Sequence, residues 1–174
     1  MTATSSHPTH QVARAHADIN PVREFLTFQL GGVSYGIDIL KVQEIRGYET
    51  PTRISNTPAY VKGVLNLRGV IVPILDLRLK LAMEHANFDA LTVTVVLNLE
   101  QRVTGVVVDA VSDVIELKAE QIMPAPDFNH GVDASFITGI CDVGTSEQQR
   151  MLVLLDIERL MAPTHLNMAS QTLQ

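Results

Sequence analysis

At 174 residues the chain has room for one compact domain with a core of its own, or for two small fused subdomains. A hydrophobic content of 46% against a charged fraction of 18% excludes an intrinsically disordered chain. The net charge of −6 argues against a sequence-neutral nucleic-acid binder or a peripheral binder of anionic membranes, both of which need a basic face.

Residues 1–23 read as a flexible tail. They are rich in Ser, Thr, His and Ala, and no Leu or Phe precedes Phe25. They hold no apolar segment of the kind a secretory signal needs, and a cytosolic setting is expected. No apolar run anywhere approaches the roughly 18 residues of a membrane helix, so no direct membrane insertion is expected. From Glu24 the pattern changes. Phe25, Leu26, Phe28 and Leu30 form a strand-like run, and Val33, Tyr35 and Ile37 alternate beyond Gly31-Gly32. A Gly-Gly pair between two such runs predicts a hairpin, because both positions take positive φ without a steric cost. Residues 38–45, with Val42 and Ile45 at mixed spacing, read as a short helix or turn between strands.

The chain also resembles itself. At an offset of 69 residues, Leu30 meets Leu99, Gly36 meets Gly105, Ile37 meets Val106, Ile39 meets Val108, Val42 meets Val111, Glu44 meets Asp113 and Ile45 meets Val114. At an offset of 76, Tyr60-Val61-Lys62-Gly63-Val64 meets Phe136-Ile137-Thr138-Gly139-Ile140, and at 80, Ile74-Leu75-Asp76-Leu77 meets Leu154-Leu155-Asp156-Ile157. This order of blocks predicts two similar β-subdomains, each with about five short strands and a short closing helix. Residues 82–90 read as the connection between the halves, and 124–135 and 144–150 as loops. Gly31-Gly32 faces Glu100-Gln101 in this alignment, so the two hairpin turns are expected to differ.

Residues that could carry chemistry are few. His7, His10 and His16 lie in the tail, and His85, His130 and His165 fall in loop-like or terminal segments with no carboxylate at a motif spacing. The single cysteine, Cys141, forbids an intrachain disulfide and a cysteine-rich zinc site, and following Ile140 in an apolar strand it reads as a small buried filler. Gly31-Gly32 lacks the Gly-Lys-Ser/Thr of a phosphate loop. Asp76 and Asp156 each end a strand before a helical segment, where a carboxylate caps free backbone N–H groups. No catalytic residue, metal site or cofactor is therefore assigned. What remains is surface, and an apolar groove between two β-subdomains would suit an amphipathic helix.

The stretches Glu24–Phe28, Tyr35–Gly47, Val61–Leu77, Val106–Val114 and Met151–Ile157 resemble the CheW family of chemotaxis coupling proteins, the Asn66-Leu67-Arg68-Gly69 block being the most specific. The resemblance spans residues 24–162 and leaves 163–174 as a C-terminal tail. It implies an all-β fold with a few short helices, built as two intertwined five-stranded SH3-like barrels with a hydrophobic core between them. It implies an adaptor, not an enzyme, that binds the cytoplasmic tips of chemoreceptors and the regulatory domain of a CheA-type histidine kinase beneath the membrane. Carried over by motif, receptor contact falls at Val42, Gly63, Arg68 and Val114, and kinase contact at Ile39, Glu44 and Ile45. Arg68 has a second, compatible role: pairing with Glu44 to hold the shape of the surface. No receiver pattern follows the domain, so a coupling–receiver fusion is not expected. Two other readings stay open, an adaptor of a non-flagellar pathway and a small-molecule-binding β-barrel.

Overall fold

The computed structural model describes residues 21–84, 86–100, 102–127 and 134–162. All six histidines and most of the expected N- and C-terminal tails lie outside them. The strands are β1 (Arg23–Leu30), β2 (Val33–Asp38), β3 (Val42–Gly47), β4 (Val61–Leu67), β5 (Val70–Asp76), β6 (Val93–Leu99), β7 (Arg102–Val108), β8 (Ala110–Leu117), β9 (Ile137–Asp142) and β10 (Met151–Leu155). Helix α1 (Leu77–Lys80) follows β5 and α2 (Ile157–Met161) follows β10. The segment read as a short helix or turn divides. Ile39–Lys41 is one 3₁₀ turn, capped by the Asp38 carboxylate, and strand β3 begins at Val42.

The first hairpin follows from its turn residues. Gly31 and Gly32 take φ of 56° and 80° between paired Leu30 and Val33, as a two-residue turn of matching twist requires. The β4–β5 hairpin uses the same device with Arg68 (φ 54°) and Gly69 (φ 87°), pinned by the Asn66 side chain, which accepts from the Gly69 N–H at 2.8 Å. Asp76 and Asp156 cap their helices, accepting from the Arg78 and Arg159 backbone N–H groups.

One sheet runs β8-β1-β2-β10-β9 and the other β3-β6-β7-β5-β4. The repeat is therefore real but its halves are not separate bodies. Each sheet takes two strands from one half of the chain and three from the other. The expectation of one subdomain per half is corrected by this exchange, which gives the intertwining that the family resemblance implied. The exchange closes through two parallel pairings, β2 with β10 and β5 with β7. Gly36 lies opposite Leu154 and Gly105 opposite Ile74. A Cβ at Gly36 would meet Leu154 at 2.9 Å and one at Gly105 would meet Ile74 at 2.6 Å, so both glycines make room for a branched side chain from the other half.

Burial has three centres. The main one lies between the sheets and joins Leu26, Phe28, Leu30 and Ile37 of one to Val95, Leu97, Leu99, Val106 and Val108 of the other, with both helices packed on it. Two smaller ones lie inside the individual sheets: Phe25, Leu117, Cys141, Leu152 and Leu154 in one, Val72, Ile74 and Val107 in the other. Cys141 is a fully buried filler. The ladders do not close into continuous barrels. Single bridges, Thr52 to Val64 and Met123 to Ile140, tie the long loops back across the open edges.

Candidate partner-binding surfaces

Strand β3 is an edge strand whose residues alternate between half-buried and exposed. By the pairing with β6, Val42 and Ile45 lie on the face of Leu97 and Val95, which line the core between the sheets, while Glu44 and Arg46 lie on the opposite face with Val96 and Thr94. Val42 packs on the core between the sheets, as does Ile39 just before it. Ile45 is 46% exposed. A bulge between Val42 and Glu44, opposite Leu97 and Val96, produces this switch of faces.

Glu44 joins the neighbouring elements. Its carboxylate accepts from Arg46 Nη1 at 3.1 Å and from Arg68 Nη2 at 3.0 Å, and Arg46 also reaches Glu49 at 3.4 Å. The Arg46 hydrogen bond, opposed by slight burial and supported by the Arg68 charge, holds the Glu44 carboxyl below its ordinary value. A hollow of about 150 Å³ opens beside the pair, between Gln43, Leu67, Val70 and Val103. Val70 and Ile71, on the strand leaving the Arg68 turn, are exposed. Strand β3 thus presents exposed Ile45 on one face and, on the other, the Glu44–Arg68 pair beside the hollow and exposed Val70.

The remaining expected residues sit elsewhere. Val114 lies on β8, an edge of the other sheet, and is 50% exposed. It stands where the repeat puts Ile45: Val114 pairs with Leu26 as Ile45 pairs with Val95, and β8 carries a matching register shift. Its neighbour Asp113, the counterpart of Glu44, accepts instead from the buried Thr27 hydroxyl at 2.5 Å. Gly63 is buried at φ 139°, with the Thr52 carbonyl where a Cβ would stand. Its freedom from a side chain therefore seats the 48–60 loop on β4. Of the seven residues, the structure joins Glu44 to Arg68 directly, places Val42 and Ile45 on one face of β3 with Ile39 at the strand entry, and sets Gly63 and Val114 apart.

Sequence reasoning missed Arg46, although its spacing of two from Glu44 on a strand puts both on one face. It missed Leu40, 85% exposed beside the packed Ile39. It also missed Arg78, 1% exposed and the largest fully buried side chain among the described residues. Arg78 Nε and Nη2 donate to the two Asp76 oxygens at 3.0 and 2.9 Å, and Nη1 donates to Asp109 at 2.8 Å and to the Asn87 carbonyl. Asp109 in turn accepts from the Gly31 N–H at 2.7 Å, so the network ties α1 to the β1–β2 turn of the other sheet. Burial pulls the Arg78 pKa down, but its hydrogen bonds to Asp76 and Asp109 outweigh this and leave it raised.

Among the described residues no three His, Cys, Asp or Glu side chains are placed to hold a metal ion, and no helix is long and apolar enough to cross a membrane. Two interlocked SH3-like sheets with exposed aliphatic residues on edge strands β3 and β8 are the form of a protein-interaction scaffold. Comparison with known proteins gives the family. The model of the CheW-like domain matches residues 24–164. The chemotaxis protein CheW of Klebsiella aerogenes is 57% identical over 140 residues, covering 80% of this chain and 82% of that protein. A probable chemotaxis protein CheW of Rhizobium etli is 36% identical, covering 82% and 89%. The crystal structure of the scaffolding protein TtCheW from Thermoanaerobacter tengcongensis superposes with a TM-score of 0.71 at 27% identity, covering 82% of this chain and 94% of that one. The chain belongs to the CheW-like family.

Proposed function

We propose that this chain is a chemotaxis adaptor that couples chemoreceptor tips to the regulatory domain of a CheA-type histidine kinase and so controls its autophosphorylation. The names of its relatives support chemotaxis and a scaffolding role. The observation that carries the reading is edge strand β3, which offers half-exposed Ile45 as an apolar anchor on one face and the Glu44–Arg68 ion pair on the other. The kinase takes Ile39, Glu44 and Ile45, and the receptor takes Val42, Gly63, Arg68 and Val114. The work is done by shape and apolar complementarity, without a catalytic residue or cofactor, in the cytoplasm at the inner face of the membrane. An interface near 1,200 Å² gives contacts of about micromolar strength, which repetition in an array turns into a stable assembly.

The test is calorimetric titration of the chain with the kinase regulatory domain and, separately, with a receptor-tip fragment. Ile45→Asp is expected to weaken the kinase complex at least about tenfold, roughly 1.4 kcal/mol, and to spare receptor binding. Val114→Asp is expected to do the reverse. Circular dichroism confirms that both variants remain folded. A wild type that is folded and binds neither partner sinks the proposal, and two variants with the same profile sink the division of surfaces.

A further inference from the structure

The loop between β3 and β4, seated on β4 at Gly63, closes over a cleft of about 470 Å³ whose lining includes none of the seven residues above. Among the described residues, the charged ones lining it are Arg53 and Lys62. Its apolar side is the aromatic pair Tyr48–Phe88, ring centroids 4.5 Å apart, together with Ile54. Phe88 is held from behind by the buried Arg78, whose guanidinium lies 4.8 Å from the ring centroid. Phe88 and Ile54 nevertheless stay 43% and 47% exposed.

Neither cation forms an ion pair among the described residues. Lys62 Nζ lies 5.4 Å from the Phe88 ring centroid and pairs with no described carboxylate, and Arg53 has no ion pair or side-chain hydrogen bond among the described residues. The lining adds the polar side chains of Thr50, Ser55 and Asn56. The other half of the molecule shows that the fold does not require these residues. The bridge from Thr52 to Val64 repeats as that from Met123 to Ile140, which puts Pro124 opposite Arg53. By the same repeat Thr138 stands opposite Lys62 and Leu117 opposite Tyr48.

We propose that this cleft docks an acidic segment of a partner protein, its carboxylates on Arg53 and Lys62 and an apolar side chain against Ile54 and Phe88. Charge complementarity selects this occupant. The chain carries a net charge of −6, so an acidic segment is repelled by the molecule as a whole and finds two unpaired cations beside an exposed apolar floor here. The site adjoins the receptor contact proposed at Gly63, which seats the loop of the cleft, and takes none of the residues proposed for the kinase.

The probe is a hexapeptide alternating glutamate and leucine, titrated into the ¹⁵N-labelled full chain at low ionic strength, where the screening length exceeds about 10 Å. Amide shifts are expected in residues 50–62 and at Phe88. Affinity is expected to fall about tenfold for the glutamine counterpart of the peptide and for the double variant Arg53→Gln/Lys62→Gln, with Arg53→Gln alone intermediate. Both substitutions keep much of each aliphatic stem and remove no contact to a described carboxylate, so folding survives. Shifts spread over other faces, equal binding of the glutamine peptide, unchanged affinity in the double variant, or no binding of the acidic peptide each overturn the proposal. Phosphatidylglycerol vesicles that bind through Arg53 and Lys62 while the peptide does not would overturn it too, and would assign the cleft to a lipid surface.

Discussion

Two ion pairs sit at nearly equivalent places in the two halves, with their signs reversed. In one, Arg78 of α1 meets Asp109, the residue between β7 and β8. In the other, Glu158 of α2 meets Lys41, at the end of the 3₁₀ turn between β2 and β3, at 3.0 Å. Each pair also anchors a hairpin turn: Asp109 accepts from the Gly31 N–H, and Glu158 accepts from the Glu100 N–H at 3.2 Å. The difference is burial. Arg78 is 1% exposed, whereas Lys41 and Glu158 are each about one-third exposed. Equivalent geometry therefore carries unequal energy, because a bridge in water is screened and a buried charge left alone is not.

The edge strands repeat the lesson on the surface. Ile45 and Val114 are equivalent and both exposed, but their acidic neighbours have turned to different tasks. Glu44 joins two arginines at the rim, whereas Asp113 is drawn back onto Thr27. The position equivalent to Thr27 is Val96, which offers Glu44 no hydroxyl. The carboxylate is thus bonded to a hydroxyl of the paired strand where β1 carries Thr27, and to arginines where β6 carries Val96, so the duplicated edges are unlike.

The sharpest way to break the first comparison is Arg78→Met. It leaves Asp76 buried without its cation and is expected to destabilise by about 3–5 kcal/mol, whereas Lys41→Met should cost less than about 1 kcal/mol. Denaturant unfolding of both variants measures the gap, and equal losses would mean that burial is not the deciding factor. Thr27→Val tests the second comparison by giving β1 the residue that β6 already has. Loss of a hydrogen bond to a carboxylate should cost about 1.5–3 kcal/mol. It should also free Asp113, visible as a shift of its carboxyl resonance, and the reciprocal Val96→Thr should not be stabilising unless Glu44 leaves its arginines. The smallest effect is expected from Glu44→Gln. The folded carboxyl titrates below the unfolded value of 4.5, so its contribution is complete above that pH and is lost as pH falls through the lower folded value. Thermal unfolding from pH 7 to pH 3 should show a slightly shallower acid decline in the variant than in the wild type. An identical decline would mean that the Arg46 and Arg68 contacts do not persist in solution.

Much of the architecture was legible because it is local. Gly31-Gly32 announces a turn through its backbone freedom, and Asp76 and Asp156 announce helix starts because a carboxylate at that place satisfies free N–H groups. The repeat was legible because equivalent strands need equivalent apolar spacing. The pairing of Glu44 with Arg68 was expected as one of two roles for that arginine, and the two side chains meet at 3.0 Å.

The strand exchange was not legible. Similarity between segments tells which strands are alike, but either member of an alike pair fits a given place in a sheet. The choice rests on burying the apolar faces of the β1–β2 and β6–β7 hairpins in the core between the sheets, a non-local gain. The same limit hid Arg78, since a charge two residues beyond a helix cap reads as exposed until a partner from another element covers it. It also left Ile39 and Leu40 indistinguishable, although one packs on the core and the other stands 85% exposed. The sequence by itself determined the turns, the caps, the apolar alternation and the duplication, each set by the backbone preferences of a few adjacent residues. The tertiary structure decided which strands pair, which charges are buried and which aliphatic edges remain for a partner, because burial belongs to the whole packed chain.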